Sequence, residues 1–295
     1  MEEHLSGFIA IIGPPNVGKS TLMNRLLGTK VSIVSPRPQT TRNRILGVVH
    51  GRGFQMVFLD TPGIHKTLTP LHRSMVASAQ ATFSEVDTIL VMIEMSRPDD
   101  PDIGPILRTL KETGRPAVLA INKIDKGKKE TALPVIEVYS QRYPFEAVVP
   151  ISALTGDGVE SLVDELVKGL RPGPPFFPPD MHTDQTEAFL FSEIIREKIF
   201  LHTKREIPYS TAVTIDHIEE REEKGLVAVA GKIHVETESQ KKILIGRGGA
   251  MIKAIGRSSR KEIERILGTR VFLDLLVRVE KNWSRDPRAL RRLGY

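Results

Sequence analysis

The 295-residue chain has no cysteine, which excludes disulfides, thiolate zinc sites and cysteine nucleophiles. It has no run of eighteen apolar residues, so no segment reads as membrane-spanning. Met1-Glu2-Glu3-His4 lacks the basic start and long apolar core of an export signal. The eight histidines are scattered without the spacing of metal ligands. Together these absences point to a cytoplasmic protein. What is present is a 40% hydrophobic content, enough for a sizeable core and, at this length, two domains. Charge is distributed unevenly. From Ser239 to Tyr295 fifteen Lys and Arg face five Asp and Glu, a net of +10 that leaves −4 for the remainder. Such a bias points to a polyanionic partner, against the plainer alternative of a solvated charged face.

Phe8-Ile9-Ala10-Ile11-Ile12 is strand-like, and the next stretch is Gly13-Pro14-Pro15-Asn16-Val17-Gly18-Lys19-Ser20. It reads G-x-x-x-x-G-K-S and leads through Thr21 into apolar residues at helical spacing. Strand, glycine loop and helix start together make a phosphate cradle. The loop N–H groups and the positive end of the helix favour negative charge at one spot. Lys19 can reach the outer phosphates, and the Ser20 hydroxyl can hold Mg²⁺. Val31 to Arg44 is a loop with two prolines, in the place where such proteins offer a hydroxyl to Mg²⁺. Thr40 and Thr41 are the candidates there, and Thr41 is favoured.

Ile45 to His50 and Gln55 to Leu59 read as a hairpin across Gly51-Arg52-Gly53. It ends in Asp60-Thr61-Pro62-Gly63, where Asp60 can hold the Mg²⁺ shell and the Gly63 N–H can bond a γ-phosphate. Thr88 to Ile93 and Ala117 to Ile121 read as buried strands, the second running into Asn122-Lys123-Ile124-Asp125. A carboxylate at Asp125 can accept from both N1–H and N2–H₂ of guanine, which adenine cannot match. A buried group left unpaired by the wrong base gives discrimination of roughly 10⁴-fold or more. Asn122 is expected to tie this loop to the P-loop, with the Lys123 stem along the base. A last strand, Ala147 to Ile151, leads to Ser152-Ala153-Leu154, small enough for N–H groups to approach guanine O6. An amphipathic helix, Val159 to Leu170, closes the domain.

These five signals in fixed order resemble small GTP-binding proteins related to translation factors. The resemblance implies an α/β fold with a mostly parallel sheet and ligand loops at the strand C-termini. Ile64 stands where the Ras-like template has a water-orienting Gln. An Ile cannot position water, so slow intrinsic hydrolysis with external activation is expected. Asn16 matches the position that ligates potassium in GTPases with this hydrophobic substitution, an implication of the resemblance alone.

Arg171 to Asp180 holds five prolines in ten residues and reads as a stiff linker, with Phe176 and Phe177 docking it on one domain or the other. Beyond it come a helix from Gln185 to about His202, strands near Ser210 to Ile218 and Leu226 to Val235, two helices split at Gly246-Arg247-Gly248-Gly249, and a strand from Val271 to Val279. This order resembles the smaller α+β KH domain of the bacterial (type II) topology. In KH domains the G-x-x-G loop clamps about four backbone nucleotides of single-stranded RNA. Lys241, Lys242, Lys253, Arg257, Arg260 and Lys261 are the basic candidates, with the tail from Trp283 extending the footprint.

The whole set resembles the bacterial Era-type GTPases over essentially the full chain: a GTPase domain at 1–171, a linker at 172–184 and a KH domain with basic tail at 185–295. The resemblance implies a monomer that cycles between GTP and GDP with Mg²⁺. It also implies binding to the 3′ end of small-subunit (16S) rRNA, a role in 30S ribosomal subunit assembly and peripheral contact with the inner membrane. A P-loop ATPase or kinase is one rival reading. The other is a GTPase whose basic domain docks on protein or anionic lipid.

Overall fold

Apolar runs too continuous to alternate call for strands covered on both faces, and four of them form the centre of the first sheet. A computed structural model describes residues 3–35, 42–60 and 86–295. β1 (Leu5–Ile12), β4 (Thr88–Glu94) and β5 (Ala117–Asn122) run parallel, as do β3 (Phe54–Asp60) beside β1 and β6 (Ala147–Pro150) beside β5. β2 (Ile45–Gly51) is the antiparallel edge, giving the order β2-β3-β1-β4-β5-β6. α1 (Lys19–Leu27), α2 (Ile103–Thr113), α3 (Ala132–Arg142) and α4 (Val159–Lys168) complete this unit among the described residues. One layer of core joins Ala10, Ile12, Ile89, Val91, Leu119 and Ile121 to Ile106, Leu110 and Tyr139 of the helices. Parallel strands align their C-terminal ends, and the register pairs Ile11 with Asp60, Glu94 with Asn122 and Ile121 with Pro150. The loops that follow these residues therefore open on one edge of the sheet.

The proline-rich stretch does not stand free as a rod. Arg171–Pro172 (β7) pairs antiparallel with Ser6 and Leu5 of β1, and the Phe176 ring packs 4.8 Å from that of Phe8. Gln55, 1% exposed within β3, turns its amide toward the strap. Its Oε1 accepts from the Phe176 and Phe177 N–H groups at 2.7 and 3.0 Å, and its Nε2 donates to the Phe177 carbonyl at 2.8 Å. Farther on, the Val48 N–H donates to the His182 carbonyl at 2.9 Å and the Thr183 hydroxyl to that of Leu46 at 2.6 Å. Proline residues lack N–H donors, so the strand protein beneath must supply the partners.

A second compact unit begins at Gln185. α5 (Glu187–His202) opens on Thr186, whose hydroxyl accepts from the Phe189 N–H. β8 (Ala212–Arg221) and β9 (Leu226–Val235) form a hairpin, and β10 (Arg270–Val279) lies parallel to β9. α6 (Glu238–Ile245) and α7 (Ala250–Leu267) meet at the glycine loop, and α8 (Pro287–Arg292) ends the chain. Their core is Ile195, Ile199, Ile233, Leu244, Ile255 and Val277.

Candidate nucleotide and RNA sites

The P-loop leaves β1 through glycines that no other residue could replace. A Cβ on Gly13 would lie 2.3 Å from the Met92 carbonyl oxygen. One on Gly18, whose φ is +107°, would lie 2.2 Å from Asn122 Nδ2. Asn16 also takes a left-handed φ, of 61°, and stays exposed at the loop's tip. Lys19 is buried and donates to the Gly13 and Pro14 carbonyls at 2.9 and 3.0 Å. Burial lowers its pKa to about 8, against the opposing pull of Asp60 and Asp102. Such a desolvated ammonium gains strongly from an arriving phosphate.

At the end of β3, Asp60 is fully buried, and the Ser20 hydroxyl donates to its Oδ2 at 2.9 Å. Ser32 donates to the same oxygen at 3.0 Å, a residue that the sequence reading did not single out. Asn24 of α1 holds Ser32 in place. Its Oδ1 accepts the Val31 and Ser32 N–H groups, each at 2.9 Å, and its Nδ2 donates to the Ser32 carbonyl at 2.7 Å. Hydroxyl and carboxylate oxygens converging beside a phosphate cradle are the hard donors that Mg²⁺ prefers. Thr41, Thr61, Pro62, Gly63 and Ile64 lie outside the described residues, as do Gln39 and Thr40.

The side of the candidate site that the sequence assigns to the base is built by Asn122 and its neighbours. Asn122 Nδ2 donates to the Val17 carbonyl at 2.6 Å, and its Oδ1 accepts the Ala153 N–H at 2.9 Å. One buried amide thus joins the P-loop to the loop at 152–154. Lys123, at φ 67°, turns the chain sharply and pairs with Glu94. Burial acts to raise the Glu94 pKa, but hydrogen bonds from Lys123 and Ser96 and the charges of Lys123 and Lys126 outweigh it and hold the carboxyl below its usual value. Ile124 turns inward and packs in the core, so its side chain supports the loop rather than a ligand. The Ser152 hydroxyl donates to Asp125 Oδ1 at 2.6 Å, orienting an exposed carboxylate. Arg25 of α1 is a second residue without a sequence signal. Its Nε donates to the Ala153 carbonyl at 2.7 Å, and its guanidinium also reaches that of Leu154. In a trans peptide the C=O and the next N–H point oppositely. Pulling the Ala153 carbonyl toward α1 therefore turns the Leu154 N–H the other way.

In the second unit Gly246, Gly248 and Gly249 have φ of 73, 58 and 79°, a run of left-handed backbone that favours glycine. Lys253, Arg257 and Arg260 of α7 line a groove of about 460 Å³ with Ile252, Gly256, Leu273 and Leu275. Arg260 and Arg265 also lie 3.8 Å from Glu264 and Glu262. Lys261 is exposed on α7; Lys241 and Lys242 lie on α6, and Arg247 lies within the loop. Among the described residues no helix is long and apolar enough to cross a membrane.

Comparison with known proteins agrees with both halves. A family described as 50S ribosome-binding GTPase matches residues 8–123, and the KH domain family matches residues 206–284. GTPase Era of Syntrophus aciditrophicus (strain SB) is 51% identical over 290 residues, spanning 98% of this chain and 95% of that protein. GTPase Era of Lacticaseibacillus paracasei is 47% identical over 295 residues, spanning 100% and 98%. The solved structure of an Aquifex aeolicus Era variant bound to GDP·AlF4⁻ superposes with a TM-score of 0.95 at 42% identity, covering 99% of each chain. Another solved structure, of Era in complex with MgGDPNP and nucleotides 1506–1542 of 16S ribosomal RNA, matches with the same values.

Proposed function

This chain belongs to the Era family of GTPases, which convert GTP to GDP and phosphate, and on that premise we propose that it is a nucleotide-controlled rRNA-binding switch in assembly of the small ribosomal subunit. The observation that carries the reading is the pairing, in one chain, of a Ser152-oriented Asp125 beside a P-loop with a glycine clamp above a basic groove. The relative solved with 16S rRNA nucleotides and a GTP analogue supports both ligands.

Within the site, Lys19 and the P-loop amides hold the β- and γ-phosphates. Ser20 and Asp60, with Ser32 behind them, would hold Mg²⁺, which when bound neutralises phosphate charge. Thr41 and the Gly63 N–H respond to the γ-phosphate, so its loss frees their loops. Ile64 leaves water positioning to something outside the side chains of this loop, and Asn16 is the residue offered to potassium. Asn122, Asp125 and the Ser152-Ala153-Leu154 loop read guanine. In the second unit the glycine loop and Lys253 take RNA phosphates at the 3′ end of small-subunit rRNA, in preference to protein or anionic lipid.

The test is affinity for a single-stranded RNA of that 3′-end sequence, measured against salt. Contact with about four phosphates gives a log–log slope of about −3. Gly246→Asp with Gly249→Asp abolishes the binding and leaves GDP affinity intact. A flat salt response, or undiminished binding by the double variant, overturns the RNA reading.

A further inference from the structure

The loop after β6 satisfies its backbone donors from within the protein, with one exception. The Ser152 N–H donates to the Asp157 carbonyl at 2.8 Å and that of Ala153 to Asn122 Oδ1 at 2.9 Å. The Thr155 N–H donates to the Ser152 hydroxyl at 3.1 Å and that of Gly156 to the Ser152 carbonyl at 2.8 Å. The Asp157 N–H reaches the Thr155 hydroxyl at 3.4 Å. Among the described residues none accepts from the Leu154 N–H, and Leu154 is 68% exposed. In a loop otherwise bonded throughout, this one donor is left to water or a ligand.

Arg25 sets the direction of that donor. Its Nε holds the Ala153 carbonyl at 2.7 Å, and Nη2 of the same guanidinium holds the next carbonyl, that of Leu154. A planar fork on two successive carbonyls fixes orientation as well as distance. With the Ala153 C=O turned to α1, the Leu154 N–H of the same peptide points away from α1. Gly156 makes room for the arrangement. Its φ is +97°, and a Cβ there would lie 2.8 Å from Arg25 Nη1. The plainer account is a cation in the last turn of α1, where the helix dipole favours one. A dipole partner needs neither the two carbonyls nor the slot beside Gly156, and Arg25, being exposed, fills no core.

We propose that Arg25 is a positioning residue for base recognition: by holding the Ala153 and Leu154 carbonyls it aims the Leu154 N–H at guanine O6. The proposal rests on the guanine reading above and adds the O6 side of the base to the N1 and N2 side read by Asp125. Adenine carries an amino group at that place, so the aimed N–H sets donor against donor. A peptide free to turn would escape this conflict by offering adenine its carbonyl instead. Arg25 holds that carbonyl on the α1 side, and so acts against the wrong base as well as for the right one. One hydrogen bond of this kind is a share of about tenfold, beside the larger share of Asp125.

The experiment displaces a fluorescent GDP analogue from the full chain with GDP, 6-thio-GDP and IDP. Sulfur is a weak acceptor, so 6-thio-GDP probes the O6 contact while keeping both groups that face Asp125. IDP keeps O6 and lacks the N2 amino group, which probes the Asp125 side. The parent should prefer GDP to 6-thio-GDP by about tenfold. In Arg25→Ala, GDP and IDP should each bind about tenfold more weakly and 6-thio-GDP within about threefold of the parent. The preference over 6-thio-GDP then all but disappears while the GDP-to-IDP ratio stays. Gly156→Ala, whose Cβ displaces the guanidinium, should cut the same preference. A ratio of GDP to 6-thio-GDP within twofold of the parent in either variant overturns the proposal. So does an equal loss on all three nucleotides, which would make Arg25 a brace for the fold alone, and so does a parent that takes GDP and 6-thio-GDP alike. A parent that takes GDP and ADP alike ends the guanine reading itself, a separate failure that none of these ratios imitates.

Discussion

The Asn122 amide is the point at which the two halves of the nucleotide site are joined, and its removal has a calculable consequence. It is 3% exposed and makes two hydrogen bonds, to the Val17 carbonyl and from the Ala153 N–H. Asn122→Ala leaves both backbone groups without their partner in a dry place, at about 1–3 kcal/mol each. The cavity also removes the wall against which Gly18 is packed, 2.2 Å from where a Cβ would sit. The empty protein recovers part of that cost by letting the loops drift, and nucleotide must then reorder them. About 2 kcal/mol of the loss should therefore appear in binding, or about 30-fold weaker GDP affinity. Asn122→Asp keeps the acceptor for Ala153 but sets a carboxylate oxygen against the Val17 carbonyl, so it should bind at least as weakly. Displacement of a fluorescent GDP analogue, with melting of the nucleotide-free protein beside it, reads both quantities. GDP affinity within threefold of the parent in both variants would refute the coupling of the two loops through this side chain.

Gln55→Leu removes the three bonds that fasten Phe176 and Phe177. The first unit should lose about 2–4 kcal/mol, read as a lower urea midpoint, and proteolysis near Gly173 should accelerate; an unchanged midpoint contradicts the clamp. Ser32→Ala leaves Asp60 with Ser20 as its remaining hydroxyl donor of the pair. The Mg²⁺ concentration that slows GDP release should then rise about tenfold, roughly one charged hydrogen bond, and an unchanged Mg²⁺ dependence removes Ser32 from the site.

How much of this was legible beforehand depended on what each residue answers to. Gly13, Gly18, Lys19, Asp60, Asn122 and Asp125 are assigned to a ligand by motif, because phosphate, metal and guanine demand particular groups at particular spacings. Those could be read as a string. Gln55, Ser32 and Arg25 answer to a neighbouring chain segment 28 to 129 positions away, so local periodicity gave them only a strand, a loop and a helix face. Gln55 was the clearest case: it sits inside an apolar run whose pattern carries no hint of a strap. Likewise the linker's prolines and its two Phe residues argued for a stiff segment docked on one domain or the other but not for which, and β1, β2 and β3 supply the partners. In α5 the charges Glu193, Arg196, Glu197 and Lys198 are buried rather than solvated, with Arg196 bonded to Glu193 at 2.6–2.7 Å and Lys198 to Glu197 at 2.8 Å. Pairing offsets the cost of taking such charges out of water, and a sequence pattern does not record it.

The central claim is that this site tells guanine from other bases through Asp125 as oriented by Ser152. It is tested most directly by displacing a fluorescent GDP analogue with GDP and with ADP, in the parent and in Asp125→Ala. The parent should prefer GDP by roughly 10⁴-fold or more, and the variant should lose nearly all of that preference while the P-loop still takes the diphosphate of either. Discrimination that survives in Asp125→Ala contradicts the account.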